Sequence, residues 1–193
     1  MTVPPDLHLP DRLGLPDDFA YLRAAYPQTQ WQAHANYGQL ADFWLHVHRS
    51  LRAHGGQLQQ MTHAFREGGV DAAAFQRAFV PAINQFLQHL NAHHQIEDGA
   101  YFPKFRALDP RMAAGFDLLE ADHHIIHAAI GDTVDRARGL LTALGQTPAG
   151  GAEATDAYAA ASDRLLSLLL RHLADEEDLV IPAMLEHGER SVS

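Results

Sequence analysis

Two distant stretches of this sequence, near residues 95 and 174, each place a histidine four residues ahead of a glutamate. They are His93-His94-Gln95-Ile96-Glu97 and His172-Leu173-Ala174-Asp175-Glu176. On a helix, four residues make one turn plus about 40°, so each pair leaves the same face about 6 Å apart along the axis. Neutral imidazole and carboxylate together suit iron, zinc, copper or manganese. The two stretches also read as copies: His93 and His172 lie 79 residues apart, as do Glu97 and Glu176, and Pro103 and Pro182. The same offset carries His48 onto His127. A duplicated helical hairpin therefore supplies a His to the first and third helices, and a His, a Glu and a Pro to the second and fourth. The symmetry breaks at His123, one turn before His127, whose counterpart is Trp44. One half of the centre thus gains an imidazole, and the candidate ligands are His48, His93, His123, His127 and His172 with Glu97 and Glu176.

Such ligands need helices to hold them. From 31 to 67, Leu40, Phe43, Trp44, Val47, Leu51, Leu58 and Met61 recur at helical steps, with a weak spot or kink at Gly55-Gly56 and a stop at Gly68-Gly69. Asp71 is placed to cap a second helix over 72–107, which Pro81 and Pro103 interrupt. Asp109-Pro110 opens a third helix that runs to Leu144 and stops at Gly145. After a small, flexible loop over 145–151, Thr155 or Asp156 is placed to cap a fourth helix, which ends before Gly188. Nothing reads as a strand. Four long helices joined by short turns predict an all-α, up-down-up-down four-helix bundle over 31–188. Residues 1–30 carry five prolines and read as an extended arm with one short helix over 17–26 and no chemistry of its own.

Composition removes most other readings. With 24 Asp and Glu against 14 Lys and Arg, the formal charge of −10 opposes nucleic-acid binding. The absence of Cys removes disulfides, zinc fingers and thiolate chemistry, and shifts the choice of metal toward non-haem iron. The proline-punctuated start lacks the apolar core of a secretory signal, and no stretch approaches ~18 uninterrupted apolar residues, so the expected location is the cytoplasm and no membrane partner is expected.

The order of ligands resembles the hemerythrin-like family of His-His-Glu cation-binding domains over residues 37–186. The resemblance implies a left-handed bundle around two Fe ions with an oxo or hydroxo bridge, although other divalent metals also suit these donors. By that likeness His123, His127 and His172 hold one iron, His48 and His93 the other, and Glu97 and Glu176 bridge them. The implied function is binding of oxygen or a related small oxidant, either nitric oxide or peroxide. The alternatives are a di-iron oxidoreductase that removes peroxide or nitric oxide, and an iron-handling or iron-sensing protein.

One feature departs from the invertebrate oxygen carriers, in which an Asp stands five residues after the last His. Here Glu176 stands at four and Glu177 at five, the pattern of the bacterial and iron-regulatory branches. His8, His34, His54, His63, His89, His94, His124 and His187 read as solvated or core residues, with His89 a further candidate one turn before His93. Asp175, Glu177 and Asp178 read as a solvated face or as groups that orient ligand imidazoles. Trp44 reads as ordinary core, or as an apolar cover over the open position of the iron with two His. The rival ferritin-like pattern needs two Glu-x-x-His motifs, and only Glu120-Ala121-Asp122-His123 fits. The His-Glu-x-x-His of zinc hydrolases is absent.

Overall fold

The computed structural model describes residues 7–146 and 150–193. Its regular structure is helical, as expected: α1 Gln39–Arg66, α2 Ala72–Ile96, α3 Phe102–Leu108, α4 Ala113–Gln146 and α5 Gly150–His187. No strand occurs among the described residues, and none of their helices is long and apolar enough to cross a membrane.

The termini follow from local chemistry. Asp71 accepts from the Ala74 N–H at 2.7 Å and starts α2. Asp109 accepts from the Arg111 N–H at 2.9 Å and opens the 3-10 turn Pro110–Met112 that leads into α4. Gly68 (φ 71°) and Gly188 (φ 80°) adopt the left-handed backbone that glycine tolerates, just beyond the ends of α1 and α5.

Other boundaries differ from those read in the sequence. The first helix begins at Gln39 rather than near 31, because Glu189, beyond the end of α5, accepts from the N–H groups of Gly38, Leu40 and Ala41. Trp31 lies instead in the 3-10 turn Gln28–Ala33. The span 72–107 divides into α2, a π turn at Glu97–Tyr101, and α3, while Pro81 stays inside α2. Gly55 sits within α1 without ending it. A Cβ there would come within 2.6 Å of Leu166 Cδ1, so any larger residue would require that leucine side chain on α5 to shift. Thr155 does not cap the last helix, which already begins at Gly150, and its hydroxyl donates to the carbonyl of Gly151. The loop expected over 145–151 falls partly on 147–149, outside the described residues. In the arm, 17–26 forms turns rather than a helix, and Leu9, Leu15, Ala20 and Leu22 are buried, so this segment is packed rather than extended.

The chain divides into two compact units. The described part of the first comprises 7–49, 93–125 and 169–193, with a core that includes Trp44, Phe102, Phe105, Phe116, Leu119 and Met184. The second comprises 50–92 and the described part of 126–168. In it Phe65 stacks on Phe75 (ring centroids 4.4 Å apart), Phe75 on Phe79 (4.8 Å), and Phe79 meets Tyr158 edge-on (5.0 Å).

Candidate metal centre

The first unit gathers ligand-type side chains from every long helix. His48 comes from α1, His93 and His94 from the end of α2, Glu97 from the π turn, His123 from α4, and His172 and Glu176 from α5. They form two groups, each with four ligand atoms within 4.8 Å of one another: His94, Glu97, His123 and His172, and His48, His93, Glu97 and Glu176. Glu97 belongs to both. Neighbouring residues on a helix diverge by about 100°, so the end of α2 sends one imidazole into each group. The His94 ring stacks on that of His123 at 4.0 Å.

The rings are held from outside. His48 Nδ1 lies 2.9 Å from Glu177 Oε1, His123 Nδ1 2.8 Å from Asp98 Oδ1, and His172 Nδ1 3.5 Å from Asp122 Oδ2. An Nδ1–H donated to a carboxylate leaves the Nε2 lone pair directed inward, the tautomer a metal requires. In that state the Nε2 atoms of His123 and His172 face each other across 3.1 Å, an opposition of lone pairs that a cation relieves. His93 Nε2 lies 3.0 Å from Glu97 Oε1, and His48 Nε2 3.3 Å from Glu176 Oε1. The Nε2 atoms of His48 and His93, both oxygens of Glu97 and Oε2 of Glu176 are buried yet make no hydrogen bond. Buried polar atoms are normally satisfied, so a convergent set of unsatisfied donors fits a metal.

The charges tell the same story. Burial and the neighbouring Glu176 push Glu97 well above the usual carboxylate range. Burial also works against charge on Glu176, but His48, His93 and His172 outweigh it and hold that carboxyl well below its ordinary value. For His48, burial opposes the charged ring, yet Glu176 and Glu177 raise it to about 9. Burial lowers His93 to about 3 and lowers His172 as well. Two buried carboxyls whose proton affinities are pushed in opposite directions are a pair that a cation can take over from protons.

Trp44 adds a donor, since its Nε1–H gives a 2.6 Å hydrogen bond to Glu176 Oε1. Its ring meets Tyr101 edge-on at 4.9 Å and Phe105 at 6.3 Å, placing apolar surface next to the ligands.

The structure thus brings together His48, His93, Glu97, His123, His172 and Glu176. It does not bring in His127, which is exposed on α4, one turn past His123 and in the second unit. His94, read from sequence as solvated or core, is fully buried and supplies the third imidazole of its group. The offset of 79 favoured His127 because a repeat pairs equivalent positions, whereas the adjacent pair His93-His94 held the signal for two ligands leaving one helix in different directions. Glu177 is buried against His48 Nδ1, which excludes the solvated face and fits its other reading, a group that orients a ligand imidazole; Asp175 is fully buried as well. His89 is half-buried against His54 in the second unit, with ring centroids 6.0 Å apart. Arg12, in the arm, is buried against Asp122 and Asp175. Two arginines among the arm's prolines, Arg12 and Arg23, carry no sequence signal that marks Arg12 for this role.

Residues 39–184 match the family described as Hemerythrin HHE cation binding domain. No curated protein and no solved structure matches the chain.

Proposed function

Because the chain belongs to the hemerythrin HHE cation-binding domain family, we propose that it is a non-haem di-iron protein that binds oxygen or a related small oxidant, nitric oxide or peroxide. The observation that supports this most is the place of Glu97 in both ligand groups, since one carboxylate common to two sets of imidazoles suits two adjacent cations. In this reading His94, His123 and His172 hold one iron, His48 and His93 the other, and Glu97 and Glu176 serve both. When bound, the iron pair supplies a redox-active Lewis acid for the oxidant.

The remaining work falls to the protein. Asp98, Asp122 and Glu177 keep His123, His172 and His48 in the tautomer that turns Nε2 inward. Trp44 fixes one oxygen of Glu176, and together with Tyr101 and Phe105 it keeps water from that side. The set of His48 and His93 has one imidazole fewer than its partner, so it is the one with room for the oxidant.

Anaerobic loading with iron(II), metal analysis, and then optical spectra on adding oxygen, nitric oxide and peroxide in turn test the reading. Two irons per chain and a new visible band with at least one of the three are expected. A stoichiometry of one, or retention of zinc alone when iron is plentiful, overturns it.

A further inference from the structure

The arm reaches the metal centre through one side chain. Arg12 is almost fully buried, and its guanidinium is shared among four acceptors. Nη1 and Nη2 grip both oxygens of Asp122, Nη1 also meets the Leu7 carbonyl at 2.8 Å, and Nε donates to Asp175 Oδ2 at 2.8 Å. Asp122 is also the carboxylate facing His172 Nδ1. Asp175 has further partners, the Leu15 N–H at 3.2 Å and Arg171 at 2.7 Å, so it stays compensated without Arg12. Asp122 has no comparable second cation among its described ion pairs, which are to Arg12 and His172. Arg12 therefore bears on one ligand more than on any other.

We propose that Arg12 is a positioning residue of the metal centre. Its planar fork holds Asp122 in the orientation that accepts the His172 Nδ1–H, and so keeps the His172 Nε2 lone pair available to the cation shared with His94 and His123. This rests on the metal reading of the site given above. A fork is required because two carboxylates from α4 and α5 are held at once, through two edges of a single guanidinium; a lysine ammonium offers a point charge without that geometry. The arm is thereby part of the centre and not only a packed covering. Charge and orientation make opposite demands. Deleting Arg12 removes a positive charge from the neighbourhood and on that ground alone would tighten a cation, whereas loss of orientation would weaken it.

The test compares wild type, Arg12→Gln, Arg12→Lys and Tyr21→Phe in the full chain. Tyr21 anchors the same arm through a hydrogen bond to Asp109, whereas the hydrogen bonds of Asp122 and Asp175 go to Arg12, His172 and Leu15, so its variant reports on loosening of the arm alone. Iron(II) retention is measured by anaerobic competition with a chelator. In the zinc(II)-loaded protein the His172 Nδ1–H is followed by nitrogen-resolved proton NMR.

Arg12→Gln is expected to release one of the two metals about 10 to 100-fold more readily, the range for loss of a group that orients a ligand. The His172 Nδ1–H signal should broaden through faster exchange. Arg12→Lys should recover part of both effects, and it carries the test if the glutamine variant does not fold. Tyr21→Phe should melt earlier but hold both metals as wild type does. Wild-type retention with an unchanged Nδ1–H signal in the Arg12 variants overturns the proposal, as does tighter retention, or an equal loss in Tyr21→Phe. If wild type itself binds neither metal, the metal reading fails together with the proposal. If wild type binds two and the Arg12 variants match it, only the role of Arg12 fails.

Discussion

The two units of this chain draw on the same four long helices and solve burial in opposite ways. In the second unit the buried polar side chains among the described residues are Thr62, Thr133 and Thr155. Each threonine returns its hydroxyl to the carbonyl four residues earlier on its own helix, at Leu58, Ala129 and Gly151. The rest of that interior is mainly aliphatic and aromatic, led by Phe75, Phe79 and Tyr158 with the half-buried Phe65 stacked on them, and its further buried polar atoms include the Tyr158 hydroxyl and His54 Nδ1. The first unit buries Arg12, Asp109, Asp122, Asp175 and Glu177 as well as six of the seven ligand candidates, His48, His94, Glu97, His123, His172 and Glu176, with His93 half-buried. Burying charge is costly unless it is paired or coordinates a metal. One unit therefore stands on packing, while the other depends on a network of ion pairs with unsatisfied donors at its centre.

The largest effect that would sharpen this contrast is expected from Glu97→Ala. Because Glu97 serves both ligand groups, metal analysis of the folded variant should find neither iron, and a variant that still binds two would break the contrast at its centre. Next comes the choice between His94 and His127. His94→Ala should lose one of two irons and His127→Ala none; the reverse pattern would restore the ligand set expected from the repeat.

In the second unit, Phe79→Ala empties a fully buried site and should cost about 3–5 kcal/mol in a denaturant titration, with two irons per folded chain retained. Loss of iron in that variant would show that the two units do not separate packing from chemistry.

The smallest effect concerns the seat of the arm. Hydrogen bonds from Arg111 hold Asp109 below the usual carboxylate range against the opposing effect of burial, and Tyr21 adds to them. A group lowered in this way stabilises fully above its unfolded value, about 3.9, and loses that contribution as the pH falls through its lower folded value. Melting temperatures of the metal-free chain should therefore fall less steeply with acid in Asp109→Asn than in wild type.

The helices were legible because apolar residues at helical steps, and caps such as Asp71 and Asp109, act locally. The start of α1 was not, since Glu189 caps it from the far end of the chain. At the site, His93 with Glu97 and His172 with Glu176 could be read because four-residue spacing puts both groups on one face. His94 could not be read that way. A period assigns one inward position per turn, whereas α2 ends between two ligand groups and uses two adjacent residues. The π turn that follows and the reach of Arg12 to Asp122 depend on neighbours distant in sequence, which spacing along a single helix does not encode.

The central claim is that two cations share Glu97. Iron-edge X-ray absorption of the anaerobically loaded chain tests it most directly. The account predicts an iron–iron scattering shell at about 3.5–4 Å, the separation of paired metal sites. A loaded chain whose spectrum needs only nitrogen and oxygen neighbours, with no metal at that distance, would contradict it.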